Sequence, residues 1–351
     1  MLNRKIEYLD KGVLTLKTTM LKQSKELIGL VLVAIFIYFF TFWDYKEFQT
    51  LVSIPQQWLN LNTIFLSIVI EAIPFILLGV FVSSLIQIFV SEDMVKKYIP
   101  KNAFIALLPA ALLGAIFPVC ECAIVPVVRR LIKKGMPLHI AFVFLACAPI
   151  LNPVVAASTY FAFQSNMSIV VGRMGLAFVL SMVIGLVIYL FFKNSNQLKV
   201  TSEELLGNQP KESNPLQVNK WKATFYHASD EFFDMGKYLI FGAFIASLFQ
   251  TFLNREVLLS LGSNEYSSPL VMMGFAFVLS LCSEADAFVA ASFGSMFAPG
   301  ALLAFLVYGP MLDLKNTILL FGYFKTKFVL GFIAIVTVIV YLGVIMYQWI
   351  F

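Results

Sequence analysis

The stretch Phe117-Pro-Val-Cys-Glu-Cys-Ala-Ile-Val-Pro126 decides how this chain folds. It sets one carboxylate, Glu121, between two thiols, Cys120 and Cys122, and brackets them with Pro118 and Pro126. Everything on either side is apolar. An ionisable side chain at bilayer depth costs about 2.5–3.5 kcal/mol on insertion scales, so such a residue usually faces a cavity and marks a pathway. Proline locks φ and removes a backbone donor, which predicts that Cys-Glu-Cys stays out of regular helix. A second stretch, Leu281-Cys-Ser-Glu-Ala-Asp286, looks like its partner.

Composition fixes the surroundings of these two stretches. Of 351 residues, 60% are hydrophobic, only 13% are charged and 36 are Phe, with a mean hydropathy of +0.86. In lipid, only helices and closed barrels satisfy every backbone group. The apolar runs are continuous rather than alternating, which excludes a barrel. The fold class is therefore an all-α polytopic membrane protein. The net charge of +5 does not point to nucleic acid, because the Lys and Arg sit in short loops and follow membrane topology. The four cysteines, Cys120, Cys122, Cys147 and Cys282, lie in apolar surroundings, which argues against an extracellular disulfide framework and for free thiols.

Apolar segments fall at 27–43, 62–90, 103–128, 138–163, 169–192, 235–253, 268–297, 300–322 and 325–350. A basic tail at 1–26 precedes the first, which lacks a small-residue cleavage site and reads as an uncleaved span. The long polar stretch at 193–222 reads as a linker between two halves, 62–192 and 223–351. The halves resemble one another at an offset of 163, which pairs Gly79 with Gly242, Gln87 with Gln250 and Glu121 with Glu284. Glu71 and Asp234 pair at the same offset, and Pro149-Ile-Leu-Asn152 echoes Pro310-Met-Leu-Asp313.

The basic residues decide the orientation. If every segment crossed, Arg129, Arg130, Lys133, Lys134 and the linker lysines would lie outside, against the positive-inside tendency. If 103–128 and 268–297 are hairpins that enter and leave by one face, these charges stay in the cytoplasm and only Lys46, Arg173 and Arg255 remain outside. Each half then has three spans and one broken, re-entrant hairpin, and the halves are inverted, with the first span as an addition. Interrupted segments at matching positions of two halves point to a transporter's midplane site.

The expected site is Cys120, Glu121, Cys122, Asn152, Ser283, Glu284 and Asp286, with Pro118, Pro126, Pro149 and Pro153 as hinges. Thiolates are soft donors suited to Cu(I), Zn(II) or trivalent arsenic, and carboxylates suit protons and harder cations. Cys120 and Cys122 either face one soft guest as metal ligands or are small packing residues. Two close carboxylates, Glu284 and Asp286, make a usable proton site. Asn152, and Asp313 with Asn316, either line the same cavity or cap helix ends. Glu71 is expected to face the bundle, His139 to sit at an interface, and Gln87 and Gln250 to serve as hydrogen-bond glue between helices. The chain has no nucleophilic triad, phosphate loop, ATP motif or His-rich metal box. No cofactor and no enzymatic activity are therefore expected, although an intramembrane thiol enzyme without an obvious base remains a formal rival. The expected partners are the lipid bilayer, a small-molecule or ion substrate, and either a second copy or a membrane or extracytoplasmic protein.

On Phe117–Pro126, Pro149-Ile-Leu-Asn-Pro153 and Ser283-Glu-Ala-Asp-Ala-Phe-Val-Ala290, the chain resembles the bacterial predicted-permease family. That family includes YraQ- and YcgR-like proteins and, more distantly, the ArsP organoarsenical efflux permeases. The resemblance covers roughly residues 60–325 and leaves the first span and basic tail outside it. It implies a multi-pass permease of the bacterial plasma membrane, with Pro118, Cys120, Cys122, Asn152, Ser283 and Asp286 as signature positions. It also implies efflux of a metalloid, since ArsP-like members export trivalent organoarsenicals through thiol coordination. A membrane-embedded subunit of a larger complex handling another substrate or lipid is the alternative function.

Overall fold

A computed structural model describes residues 55–89, 91, 94, 103–116, 120–163, 166–193, 197–199, 220–252, 264, 266–294 and 296–350. The basic tail, the first span, Pro118, most of the linker and the side chains of Cys122 and Asp234 lie outside the described residues. Contacts divide the chain into Met1–Gln56 and Gln57–Phe351, and the fold described is that of the second unit.

The described part is all-helical. Its helices are α1 Gln56–Phe89, α2 Ala103–Ile116, α3 Glu121–Lys133, α4 Leu138–Leu151, α5 Pro153–Ala162 and α6 Met167–Phe192. They continue as α7 Lys220–Phe252, α8 Ser267–Leu279, α9 Ser283–Ser292, α10 Pro299–Met311, α11 Leu314–Tyr323 and α12 Thr326–Ile350. Five stretches are long and apolar enough to cross a membrane, one of them running through α10 and α11, and α4 with α5 forms a sixth if that 41° bend is one span. The stretches expected to form hairpins contain the short helices α2 and α3, and α8 and α9. Lys220 to Lys222, read from sequence as the end of the linker, already belong to α7.

α4 and α10 are apolar on every side, and a helix of that kind belongs in the interior. Twelve of the fourteen α4 residues are buried, His139 to Ile150, as is all of α10 from Gly300 to Met311. The two helices pack on each other, α2 and α6 pack on α4, and α8 and α12 pack on α10. Phe142 binds α4 to the start of α12, its ring meeting Phe324, Phe328 and Phe332 edge-on with centroids 5.2, 4.8 and 4.8 Å away. Such pairs add about 0.5–1.5 kcal/mol each beyond the area they bury. Gly79 lets α1 close on α3, since a Cβ there would sit 2.7 Å from the Ala123 backbone.

The short helices end where the local chemistry says they should. α3 finishes in a left-handed Gly135 (φ 95°), with Gly135 N–H on Ile132 O and Met136 N–H on Leu131 O, both at 3.0 Å; this is the Schellman pattern. α8 finishes at Ser280, also left-handed (φ 50°), a conformation that costs a side-chain-bearing residue. The turn is fixed by the Ser280 hydroxyl, which accepts the otherwise unpaired Leu314 N–H at the start of α11 (3.1 Å). Gln250 donates to Leu279 O at 2.6 Å, holding α7 to the end of α8, as glue between helices was expected to do.

Three expectations are corrected. Cys-Glu-Cys is not held out of helix: α3 starts at Glu121, Cys120 is its extended N-cap (φ −73°, ψ 165°), and Pro126 lies inside the helix. Pro126 is the sixth residue of the helix, where it removes one i→i−4 bond without ending it, and the break falls before Cys120. Arg173 is not an outer-face charge; it is completely buried. Glu71 lies exposed on α1 rather than packed, with its side chain toward Cys282 at the start of α9. His139 is buried (7% exposed) with its ring against Tyr189, centroids 4.8 Å apart.

Candidate functional site

Two helix starts meet at the centre of the described fold. Glu121 is the first residue of α3 and Ser283 the first of α9, and the Ser283 hydroxyl donates to Glu121 Oε2 at 3.2 Å. A helix start carries partial positive charge and unpaired N–H groups, which favours acidic side chains in the first turn. Glu121 occupies that position in α3, and Glu284 and Asp286 occupy it in α9. Two further helix starts adjoin them, since α3 packs on α11 and α9 on α5. These are capped by side chains: Asn152 Oδ1 accepts Val155 N–H (2.9 Å) and Asp313 Oδ1 accepts Asn316 N–H (2.6 Å). The cap reading of Asn152 and Asp313 is therefore realised. Pro153 sits directly after the Asn152 cap, in the first turn of α5, where its missing N–H costs nothing. Pro149 lies inside the last turn of α4, just before that bend.

Charges at this centre are buried rather than solvated. Glu121, Asp286 and Asp313 are 1–2% exposed, while Glu284 is half-buried. Lys315 of α11 lies between Glu121 Oε1 (3.8 Å) and Asp313 Oδ2 (3.6 Å). Arg173 of α6 donates from Nε to Leu306 O (3.2 Å), from Nη1 to Thr159 Oγ1 (2.7 Å) and from Nη2 to Ser283 O (2.9 Å). One guanidinium thus ties α5, α6, α9 and α10 and reaches the same Ser283 that touches Glu121. Buried charges persist only when pairing or hydrogen bonds replace water: Lys315 has two carboxylates beside it and Arg173 has three hydrogen bonds.

The thiols surround this centre unevenly. Cys120 and Cys282 are the N-caps of α3 and α9, both free and half-buried, and neither side chain caps its helix. Cys147 is a packing residue: it is buried, its sulfur points at the carbonyls of Ala110 and Ala111 (3.9 and 3.7 Å), and it fills the space opposite Gly114. Among the described residues, no three His, Cys, Asp or Glu side chains converge as a preformed metal site.

A second buried ionic cluster joins α1, α3, α7 and α11. Glu231 of α7 accepts at Oε2 from Ser83 (2.8 Å) and from Arg130 Nη2 (3.3 Å), and its Oε1 lies 4.0 Å from Arg129. Arg129 in turn covers the Tyr323 ring at 4.3 Å. Sequence reading took both arginines for loop charges and missed Glu231, Lys315, Thr159 and the central place of Arg173. The available signal was an ionisable residue inside an apolar run, as at Arg173 and Lys315.

Comparison with known proteins places the chain in a family. A family described as predicted permease matches residues 57–349. UPF0718 protein YcgR of Bacillus subtilis is 50% identical over 288 residues, which cover 82% of this chain and 97% of that protein. A putative two-component membrane permease complex subunit of Streptococcus mutans is 40% identical over 293 residues, 82% of this chain and 94% of that protein. No solved structure matches. The chain is a multi-pass bacterial membrane protein and belongs to the predicted-permease family.

Proposed function

We propose that this chain is a permease of two inverted halves that exports a soft metal or metalloid species between the starts of α3 and α9. The observation that carries the reading is the hydrogen bond from Ser283 to Glu121, which joins the first turns of two short helices from different halves. Three candidate spans lie on each side of the linker, and a short helix pair follows the first long helix of each half. The packing repeats as well: α2 on α4 matches α8 on α10, and α3 on α11 matches α9 on α5. Short helices that start at the midplane are how transporters place helix ends against a substrate. In this reading Cys120 and Cys122 supply soft donors, Glu121 and Glu284 balance charge as the guest passes, Lys315 holds the Glu121 and Asp313 carboxylates, and Arg173 holds the start of α9 through Ser283 O.

The experiment is cellular accumulation of arsenite, methylarsenite, copper, zinc and cadmium at matched expression. Wild type is expected to lower accumulation of one soft species several-fold, and Cys120→Ser/Cys122→Ser and Glu121→Gln each to abolish the effect. Unchanged export by both variants would remove the tips from the path.

A specific surface favours the second reading, a subunit of a larger complex. An apolar groove of about 850 Å³ between α6 and α12 is lined by Gly175, Leu176, Val179, Val183 and Met346, and nothing lies within 4 Å of where a Cβ on Gly175 would sit. Small residues of this kind let transmembrane helices approach closely, and the Streptococcus mutans relative is named as a complex subunit. A stoichiometric membrane protein that co-purifies with the chain, with no species on the panel moved, would decide for this reading.

A further inference from the structure

We propose that the buried centre binds one exchangeable proton, on the Asp286 carboxylate of α9. The inference rests on the permease reading, for which a proton site inside the bundle is what coupling to a proton gradient requires.

The charges are the first ground. Glu121, Asp286 and Asp313 are three carboxylates at most 2% exposed, and the buried cations beside them are Arg173 and Lys315. Among the described residues these buried groups carry one negative charge in excess, and a buried carboxylate that is neither ion-paired nor hydrogen-bonded is expensive. Lys315 is taken up by Glu121 and Asp313. Arg173 directs its three hydrogen bonds at two carbonyls and a hydroxyl. Arg173 acts on Asp286 through space but makes no ion pair or hydrogen bond with it among the described residues, so the excess negative charge falls on Asp286.

The geometry around Asp286 is the second ground. Its Oδ2 is buried and has no hydrogen-bond partner. That oxygen faces α10 at Gly309, where a Cβ would lie 3.1 Å from it and 3.3 Å from Ala276 Cβ, so the wall on that side is apolar. An unpaired polar atom against such a wall costs free energy that a proton on it reduces.

The charged neighbours of Asp286 come from several elements. Arg173 reaches it electrostatically from α6, Glu121 from α3, and Lys315 and Asp313 from α11. On its own helix Glu284 lies two residues away and the Cys282 carbonyl accepts the Asp286 N–H (2.9 Å). α5 carries Ser158, engaged with Val155 O, Thr159, engaged with Val155 O and Arg173, and Tyr160, and α10 carries Tyr308, engaged with Thr337. A divalent cation would need several oxygens around it, whereas among the described residues no three acidic, Cys or His side chains converge. A proton needs no such shell.

The test is infrared spectroscopy of the purified full chain in nanodiscs, with aspartate carboxyls labelled by carbon-13 and no substrate present. The wild type is expected to show a protonated-carboxyl band that shifts with the label and with deuterium, and that fades as pH rises. Asp286→Asn should remove this band and Asp313→Asn should retain it. No labelled band in the wild type at any pH overturns the proposal, even if Asp286→Asn fails to fold. So does a band that survives in Asp286→Asn, or one titrated away by sodium at constant pH. Because no transported species is added, this outcome is independent of the accumulation panel. A silent panel with the band present removes the soft-species reading alone, and export without the band removes the proton site alone.

Discussion

Replacing Arg173 with leucine is expected to cost the fold about 3–5 kcal/mol, the range for removing one partner from a buried charged network. The guanidinium is completely buried and supplies Leu306 O, Thr159 Oγ1 and Ser283 O from one planar fork. Leucine would leave two buried carbonyls short of a donor and remove a positive charge from a centre that already holds three carboxylates. Arg173→Lys should recover only part of the loss, because an ammonium cannot reach three acceptors in the directions that a planar fork does. The measurement is the apparent Tm in nanodiscs together with the yield of monodisperse protein. An Arg173→Leu variant that melts with the wild type would show that the network stabilises nothing.

Glu231→Leu is expected to lose about 1.5–3 kcal/mol, the range for hydrogen bonds to a charged group, and so ranks second. Its carboxylate gathers Ser83 from α1 and Arg129 and Arg130 from α3, and removing it takes the carboxylate from beside two arginines at a helix junction. The effect should shrink when Arg130 is already methionine, because that pair is then gone. A double-mutant cycle with Arg130→Met should return a coupling of about 0.5–3 kcal/mol, as for residues within one network. Strict additivity of the two substitutions would contradict the geometry.

How much of this was legible in the sequence follows from how local each signal is. The spans were legible because an apolar run of about twenty residues has few other solutions. The broken elements were legible from Pro and polar residues inside such runs: Asn152 and Asp313 do mark breaks, each capping the helix that follows. The meeting of Glu121 with Ser283 was approachable because both stretches put carboxylates and a thiol in apolar surroundings, although the contact falls on Ser283 rather than on Glu284. What failed was anything decided by packing between distant helices. Arg173 looks like a flanking charge until α5, α9 and α10 close over it. Glu71 looks buried because it interrupts an apolar run, yet the side of α1 that carries it lies exposed. The helical start at Glu121 was missed because Pro126 was read as breaking a helix, where it only enters one early.

Whether the starts of α3 and α9 meet is the measurement that reaches furthest. It uses a variant with Cys120, Cys122, Cys147 and Cys282 changed to serine, carrying Glu121→Cys and Ser283→Cys, with a protease site inserted between residues 200 and 219. A short, cleavable bifunctional thiol reagent is added to membranes before proteolysis. The halves are then expected to migrate as one chain until the linkage is reduced, and a lipid-facing control pair such as Val179→Cys with Ser283→Cys is expected to separate. If the Glu121→Cys/Ser283→Cys halves separate without reduction as readily as the control, the two starts do not meet and the shared site is wrong.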